Sequence, residues 1–161
     1  MPDAVIYHID ANFLLNYLIP DNKDVHEEIR NRFERRNWYN DVYRISKYAL
    51  GESLKRVLNF EYNTSITWEN VTNRMSYIRG LISKKRLDIF DLEDVDNRWK
   101  QHYEELMEIQ DSLVQKADRF ILAFFCADPD AKRFYTMDSH IIKSKRINDY
   151  VSHLGKRISE V

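Results

Sequence analysis

Two aspartates stand where a run of β-favouring residues gives out: Asp10 after Val5-Ile6-Tyr7-His8-Ile9, and Asp138 after Phe134-Tyr135-Thr136-Met137. In open α/β sheets ligands collect outside the carboxyl ends of the strands, so both side chains are candidates for one shared cleft. Either could equally begin a turn or cap the next helix. A third acid, Asp118, falls on the same helical stripe as Ile121, Leu122 and Phe125, which takes its carboxylate off the solvated face. It reads as an N-cap, worth about 1 kcal/mol, or as a ligand turned into a cleft beside the sheet. Carboxylates gathered at about 4 Å repel by about 4 kcal/mol per pair at an effective dielectric of about 20, so such a cluster calls for a cation. All-oxygen donors favour a hard ion, Mg²⁺ or Mn²⁺, over Zn²⁺. Such an ion would lower the pKa of a bound water enough to make a hydroxide near neutral pH.

The elements that must position these acids alternate. Ala4 to Ile9 reads as a strand, Phe13 to Ile19 as a helix stopped by Pro20, and Val25 to Arg36 as a second helix. A strand near Val42 to Ile45 precedes a helix from about Lys47 to Asn59, and Trp68 to Lys84 carries a helical pattern through Val71, Met75, Ile78 and Ile82. Leu87 to Leu92 alternates like a half-buried strand, and Asp94 to about Asp111 is amphipathic through Trp99, Tyr103, Leu106 and Met107. Asp118 to Ala127 is a strongly apolar helix, Phe134 to Met137 a short strand, and a last helix runs to Gly155, with Arg157 to Val161 as an edge strand. Strands alternating with helices predict a three-layer α/β/α fold around a mostly parallel sheet of four to five strands.

Composition bounds the rest. A chain of 161 residues suits one domain, 1–161, with a proper core. Three glycines and three prolines argue against a many-stranded all-β design. With 25 Lys plus Arg against 26 Asp plus Glu, the net charge of -1 spreads no basic field, and any polyanion must be met by local patches. Cys126, the sole cysteine, lies in the apolar run Phe124 to Ala127 and reads as a buried small hydrophobe. The longest apolar run, Phe120 to Ala127, is too short to span a membrane, and the start Met1-Pro2-Asp3 has no basic leader, so a cytoplasmic protein is expected. His8, His26, His102, His140 and His153 show no metal-binding spacing, and no phosphate-binding glycine loop is present.

The segment Val5 to Leu15, with its apolar strand followed by Asp10-Ala11-Asn12 and an apolar run, resembles the opening of PIN-domain ribonucleases. Ala49-Leu50-Gly51-Glu52-Ser53-Leu54 is similar to that family's helix glutamate, Ala117-Asp118-Arg119-Phe120-Ile121-Leu122-Ala123 to its Asp-x-x-Ile-Leu-Ala helix start, and Thr136-Met137-Asp138 to its Thr-x-Asp. Glu52 enters only through this resemblance, because the wheel of its helix groups Leu50, Leu54, Val57 and Leu58 and puts Glu52 opposite them. The resemblance implies a metal-dependent ribonuclease holding Mg²⁺ or Mn²⁺ on Asp10, Glu52, Asp118 and Asp138 and leaving 5′-phosphate and 3′-hydroxyl ends. Asn12 and Thr136 would hydrogen-bond those carboxylates into place. It implies an RNA substrate, and either a VapC-type toxin with an antitoxin partner or an RNA-processing enzyme. Two departures are His140, where many relatives carry a further acid, and an extended helical region at about 61–115.

Lys47, Arg56, Arg119 and Lys143 lie near the acids in sequence and are candidates for the RNA backbone, with ordinary solvated roles standing beside. The runs Arg35-Arg36, Lys84-Lys85-Arg86 and Lys143 to Arg146 could line an RNA path or simply end helices. Trp99 to Tyr103 could supply a homodimer patch or belong to the core. Two alternatives carry different functions: a Mg²⁺-binding receiver-like signalling domain, and a catalytically silent PIN-like module that only binds RNA or protein.

Overall fold

Five strands, β1 (Val5–Ile9), β2 (Asp41–Ser46), β3 (Leu87–Phe90), β4 (Ala131–Thr136) and β5 (Arg157–Glu160), form one sheet in the order β3-β2-β1-β4-β5. Every pairing is parallel, with β1 in the middle. Parallel neighbours need crossovers, and helices supply them: α1 (Ala11–Leu18), α2 (Lys23–Glu34), α3 (Lys47–Asn63), α4 (Trp68–Ser83), α5 (Arg98–Glu108), α6 (Lys116–Ala127), α7 (Ser139–Lys143) and α8 (Lys145–His153). This computed structural model describes residues 5–19, 22–34, 41–63, 68–91, 94 and 97–161. A receiver-like sheet would run 2-1-3-4-5, so the strand order sets that alternative aside. No helix among the described residues is long and apolar enough to cross a membrane.

Side chains alternate across a strand, and the alternation sorts the two layers. Tyr7, Tyr43 and Tyr135 face one side and pack with Phe13 of α1 and Phe33 of α2. His8, Phe90 and Phe134 face the other and meet Phe124 and Phe125 of α6. α5 lies over α6, with Trp99 and Tyr103 set edge-on against Phe120 at 5.8 and 5.6 Å. Trp99, Tyr103 and Phe120 are each half-buried, so they pack the two helices together and still leave part of the expected dimer patch at the surface. Cys126 is buried, and burial pushes its thiol up to about 12.

The strand and helix expectations hold with shifted ends: β4 begins at Ala131, ahead of the expected Phe134, and α3 runs on to Asn63, past the expected Asn59. α5 begins at Arg98, later than the expected Asp94, and α6 begins at Lys116, ahead of Asp118. The expected last helix is two helices broken at Ser144. Its extended backbone (ψ 99°) ends α7, and its hydroxyl accepts from Ile147 N to start α8. Gly155 does sit after α8 with φ +71°, where Gly155 N and Lys156 N bond back to the Ser152 and Val151 carbonyls. Lys85 takes the same left-handed position after α4, at φ +56°.

Candidate metal centre

Because β1 and β4 are neighbours, the residues that follow them emerge together at the carboxyl edge of the sheet. Asp10 caps α1: its Oδ1 accepts from Phe13 N at 2.9 Å, and its Oδ2 accepts from the Thr136 hydroxyl at 2.5 Å. Asp138 caps α7, its Oδ1 accepting from His140 N at 2.9 Å, and its own N–H donates to Thr136 Oγ1 at 3.0 Å. Thr136 is fully buried and ties the two acids to one hydroxyl. Capping and cleft-lining therefore coexist in both aspartates.

Asp118 lies in the first turn of α6, whose N-cap is Gln115, so it is not the N-cap itself; its carboxylate accepts from the Gln115 backbone N–H and so helps close the helix start while lining the cleft. Glu52 reaches the same place from α3. The buried stripe of that helix is Ala49, Ser53 and Val57, whereas Leu58 is 45% exposed, so the apolar stripe expected through Leu58 is displaced. Small side chains let α3 approach α1 closely, and the Ser53 hydroxyl donates to the Ala11 carbonyl at 3.1 Å. That contact holds α3 against α1, and Glu52 lines the same cleft as Asp10.

Asp10, Glu52, Asp118 and Asp138 thus line one cleft of about 180 Å³, with Asn12, Arg56, Leu113, Gln115 and His140 among its other walls. Burial pushes Asp10 up from 3.8 to about 6 against its two hydrogen bonds, and the charges of Asp118 and Asp138 add to the rise. Burial, then the charges of Asp138 and Glu52, push Asp118 to about 6. The cleft holds more negative charge than it neutralises, and its donors are all oxygen, which fits a hard divalent cation. The carboxylates are not drawn together, however: among the described residues no three His, Cys, Asp or Glu side chains stand closely enough to hold an ion as they are.

The four candidate cations part ways. Arg56 lines the cleft, paired to Glu52 Oε1 at 3.0 Å and donating to Asn12 Oδ1. Asn12 therefore holds an arginine and not, as expected, a carboxylate. Arg119 is a correction of another kind. It is 5% exposed and donates to the carbonyls of Leu106, Ile109, Asp111 and Val114, so it organises the α5–α6 connection and is out of reach of a substrate. Lys47 pairs with Asp91 at 2.8 Å, and Lys143 is exposed on α7; neither lines the cleft. Lys84 to Arg86 form the cap after α4, and Arg35-Arg36 lie outside the described residues. The contribution of Leu113 and Gln115 to the cleft had no sequence signal beyond a short loop before α6.

No protein-family model matches the chain, and no curated protein matches it in sequence. Solved structures do resemble it. VapBC2 from Rickettsia felis, crystallised on a DNA fragment from its promoter, aligns over 97% of this chain and 98% of that one at 19% identity, with a TM-score of 0.61. VapC20 from Mycobacterium tuberculosis, a sarcin–ricin-loop-cleaving toxin, aligns over 86% and 95% at 14% identity, with a TM-score of 0.53. The likeness extends over the whole chain and establishes the fold.

Proposed function

We propose that this chain, folded as a VapC-like PIN domain, is a metal-dependent endoribonuclease whose centre is the cleft of Asp10, Glu52, Asp118 and Asp138. One observation carries the reading: four acids from the end of β1, from α3, from α6 and from the end of β4 face a single cleft at the carboxyl edge of the sheet. The likeness to VapBC2 and VapC20 supports RNA as the substrate and a role as the toxin of a toxin–antitoxin pair, with an antitoxin and a second copy of the chain as partners.

Bound among these carboxylates, Mg²⁺ or Mn²⁺ supplies Lewis-acid activation of water and charge neutralisation at the phosphodiester. The protein's own part is positioning. Phe13 N and the Thr136 hydroxyl fix both oxygens of Asp10, and His140 N fixes one of Asp138, so these two present their remaining lone pairs in a set direction. Asp118 supplies a half-buried carboxylate from α6, and Glu52 an exposed one from α3. Hydrolysis attaches the oxygen of water to phosphorus and breaks the P–O3′ bond, giving a 5′-phosphate and a 3′-hydroxyl.

The test is incubation of the purified chain with structured and unstructured RNA, with and without Mn²⁺, beside Asp138→Asn and Glu52→Gln. Cleavage should require Mn²⁺ and fall on the order of 100-fold or more in each variant. Melting temperature in EDTA should barely move for Glu52→Gln, because an exposed ion pair is worth less than about 1 kcal/mol. Cleavage that persists in both variants would assign the activity elsewhere. RNA bound but left intact with Mn²⁺ present would make the chain a silent binding module.

A further inference from the structure

Within the cleft one guanidinium answers four carboxylates: among the described residues Arg56 is the only lysine or arginine that lines it. Its fork is divided, one nitrogen on Glu52 Oε1 at 3.0 Å and the other on Asn12 Oδ1, and its charge also reaches Asp118. Glu52 cannot give the same oxygen fully to a cation and to Arg56. Among the described residues the one ion pair that any of the four acids makes is this one.

We propose that Arg56 is an exchangeable counter-ion: it occupies Glu52 while the centre is empty, and the arrival of a divalent cation on Glu52 releases it to grip an RNA phosphate at the cleft mouth. The inference rests on the metal-nuclease reading above and adds a coupling to it. A planar guanidinium matches a phosphate as well as it matches a carboxylate, so the released fork has a second partner of the same geometry. Arg56 is 45% exposed in its side chain, as is Glu52, which makes the pair weak enough to exchange in water. Asn12 anchors the other branch, so the side chain stays beside the cleft throughout. Reciprocity then requires RNA to raise metal affinity by the factor with which metal raises RNA affinity. Arg56 is thus a positioning residue whose work is to make the two bindings cooperative.

Two titrations on the full chain test this, each with Arg56→Gln and Arg56→Lys and with circular dichroism to certify folding. The first measures Mn²⁺ binding alone by electron paramagnetic resonance. Removing the competitor should tighten Mn²⁺ about three- to fivefold in Arg56→Gln, the worth of an exposed ion pair, with Arg56→Lys between it and wild type. The second measures binding of a fluorescent single-stranded RNA by anisotropy, in EDTA and in Ca²⁺, with intact RNA verified on a gel. Arg56→Gln should bind RNA within about twofold of wild type in EDTA and about tenfold more weakly in Ca²⁺. The Ca²⁺ salt dependence should also shallow by about 0.7, one phosphate contact on a single strand. Mn²⁺ bound equally or more weakly by Arg56→Gln overturns the exchange, as does an equal loss of RNA affinity in EDTA and Ca²⁺, which would mean a fixed phosphate contact. Failure of wild type to bind Mn²⁺ at all overturns the nuclease reading itself, and the inference with it.

Discussion

Removing the charge of Asp10 should make the metal-free protein more stable while spoiling its centre. Asp10 is 8% exposed, and burial has raised its acidity constant from 3.8 to about 6, so at pH 7.5 the folded chain carries an ionised carboxylate it would rather hold protonated. That climb corresponds to about 3 kcal/mol, an upper bound on the penalty. In Asp10→Asn the new side chain would still cap α1 through its carbonyl oxygen on Phe13 N, since asparagine and aspartate cap comparably. Its amide would face Thr136 Oγ1, turning that hydroxyl from donor to acceptor and costing about 1 kcal/mol for the lost bond. The balance is a gain of about 1–2 kcal/mol, or roughly 2–8 °C in melting temperature for a chain of this size.

The assay is thermal unfolding of wild type and Asp10→Asn in EDTA across pH, then with Mn²⁺. Its sign follows from linkage. Between about pH 4 and 6 the folded state keeps a proton on Asp10 that the unfolded state has released, so wild type loses stability as pH rises through that window. The advantage of Asp10→Asn should therefore shrink by about 2 kcal/mol on going from pH 7.5 to about 4.5. Taking the difference between the two proteins cancels His8, whose burial lowers its own acidity constant and makes it act in the opposite direction as pH falls below 6.5. Mn²⁺ at about 100 times its Kd should restore about 2.7 kcal/mol to wild type and far less to the variant. If Asp10→Asn melts below wild type in EDTA at pH 7.5, or gains equally from Mn²⁺, the account of the cleft as uncompensated negative charge is wrong.

Thr136→Val removes the hydroxyl shared by Asp10 and Asp138, so it should cost about 1–3 kcal/mol in urea unfolding and weaken Mn²⁺ binding 10- to 100-fold in calorimetry. Arg119→Met removes the buried side-chain donor that four carbonyls share, three of which keep a backbone donor, and should destabilise the fold by about 2–3 kcal/mol, where the loss of an RNA contact would leave unfolding unchanged. Lys85→Gly relieves a left-handed backbone at φ +56° and should stabilise the chain by about 0.5–1 kcal/mol, read as a higher urea midpoint at constant slope.

What local pattern determined was the layered architecture and the positions of the two strand-end acids. Hydrophobic periodicity is a property of neighbours along the chain, and it located all five strands to within a few residues. A polar residue closing an apolar strand is equally local, and it marks Asp10 and Asp138 without reference to their proximity. The apolar stripe of α6 marked Asp118 in the same way. Glu52 was invisible to the wheel, because ranking residues by hydrophobicity missed that Ala49 and Ser53 are the inner face of α3: small residues are chosen there for how closely two helices approach, and only the partner helix reveals that. The arginines show the limit most sharply. Arg119 is adjacent in sequence to Asp118 and Arg56 is a helical turn from Glu52, yet it is Arg56 that lines the cleft, while Arg119 is buried against four backbone carbonyls. Which carbonyls turn toward Arg119 depends on how the segment between α5 and α6 folds back, and that is settled by tertiary packing alone.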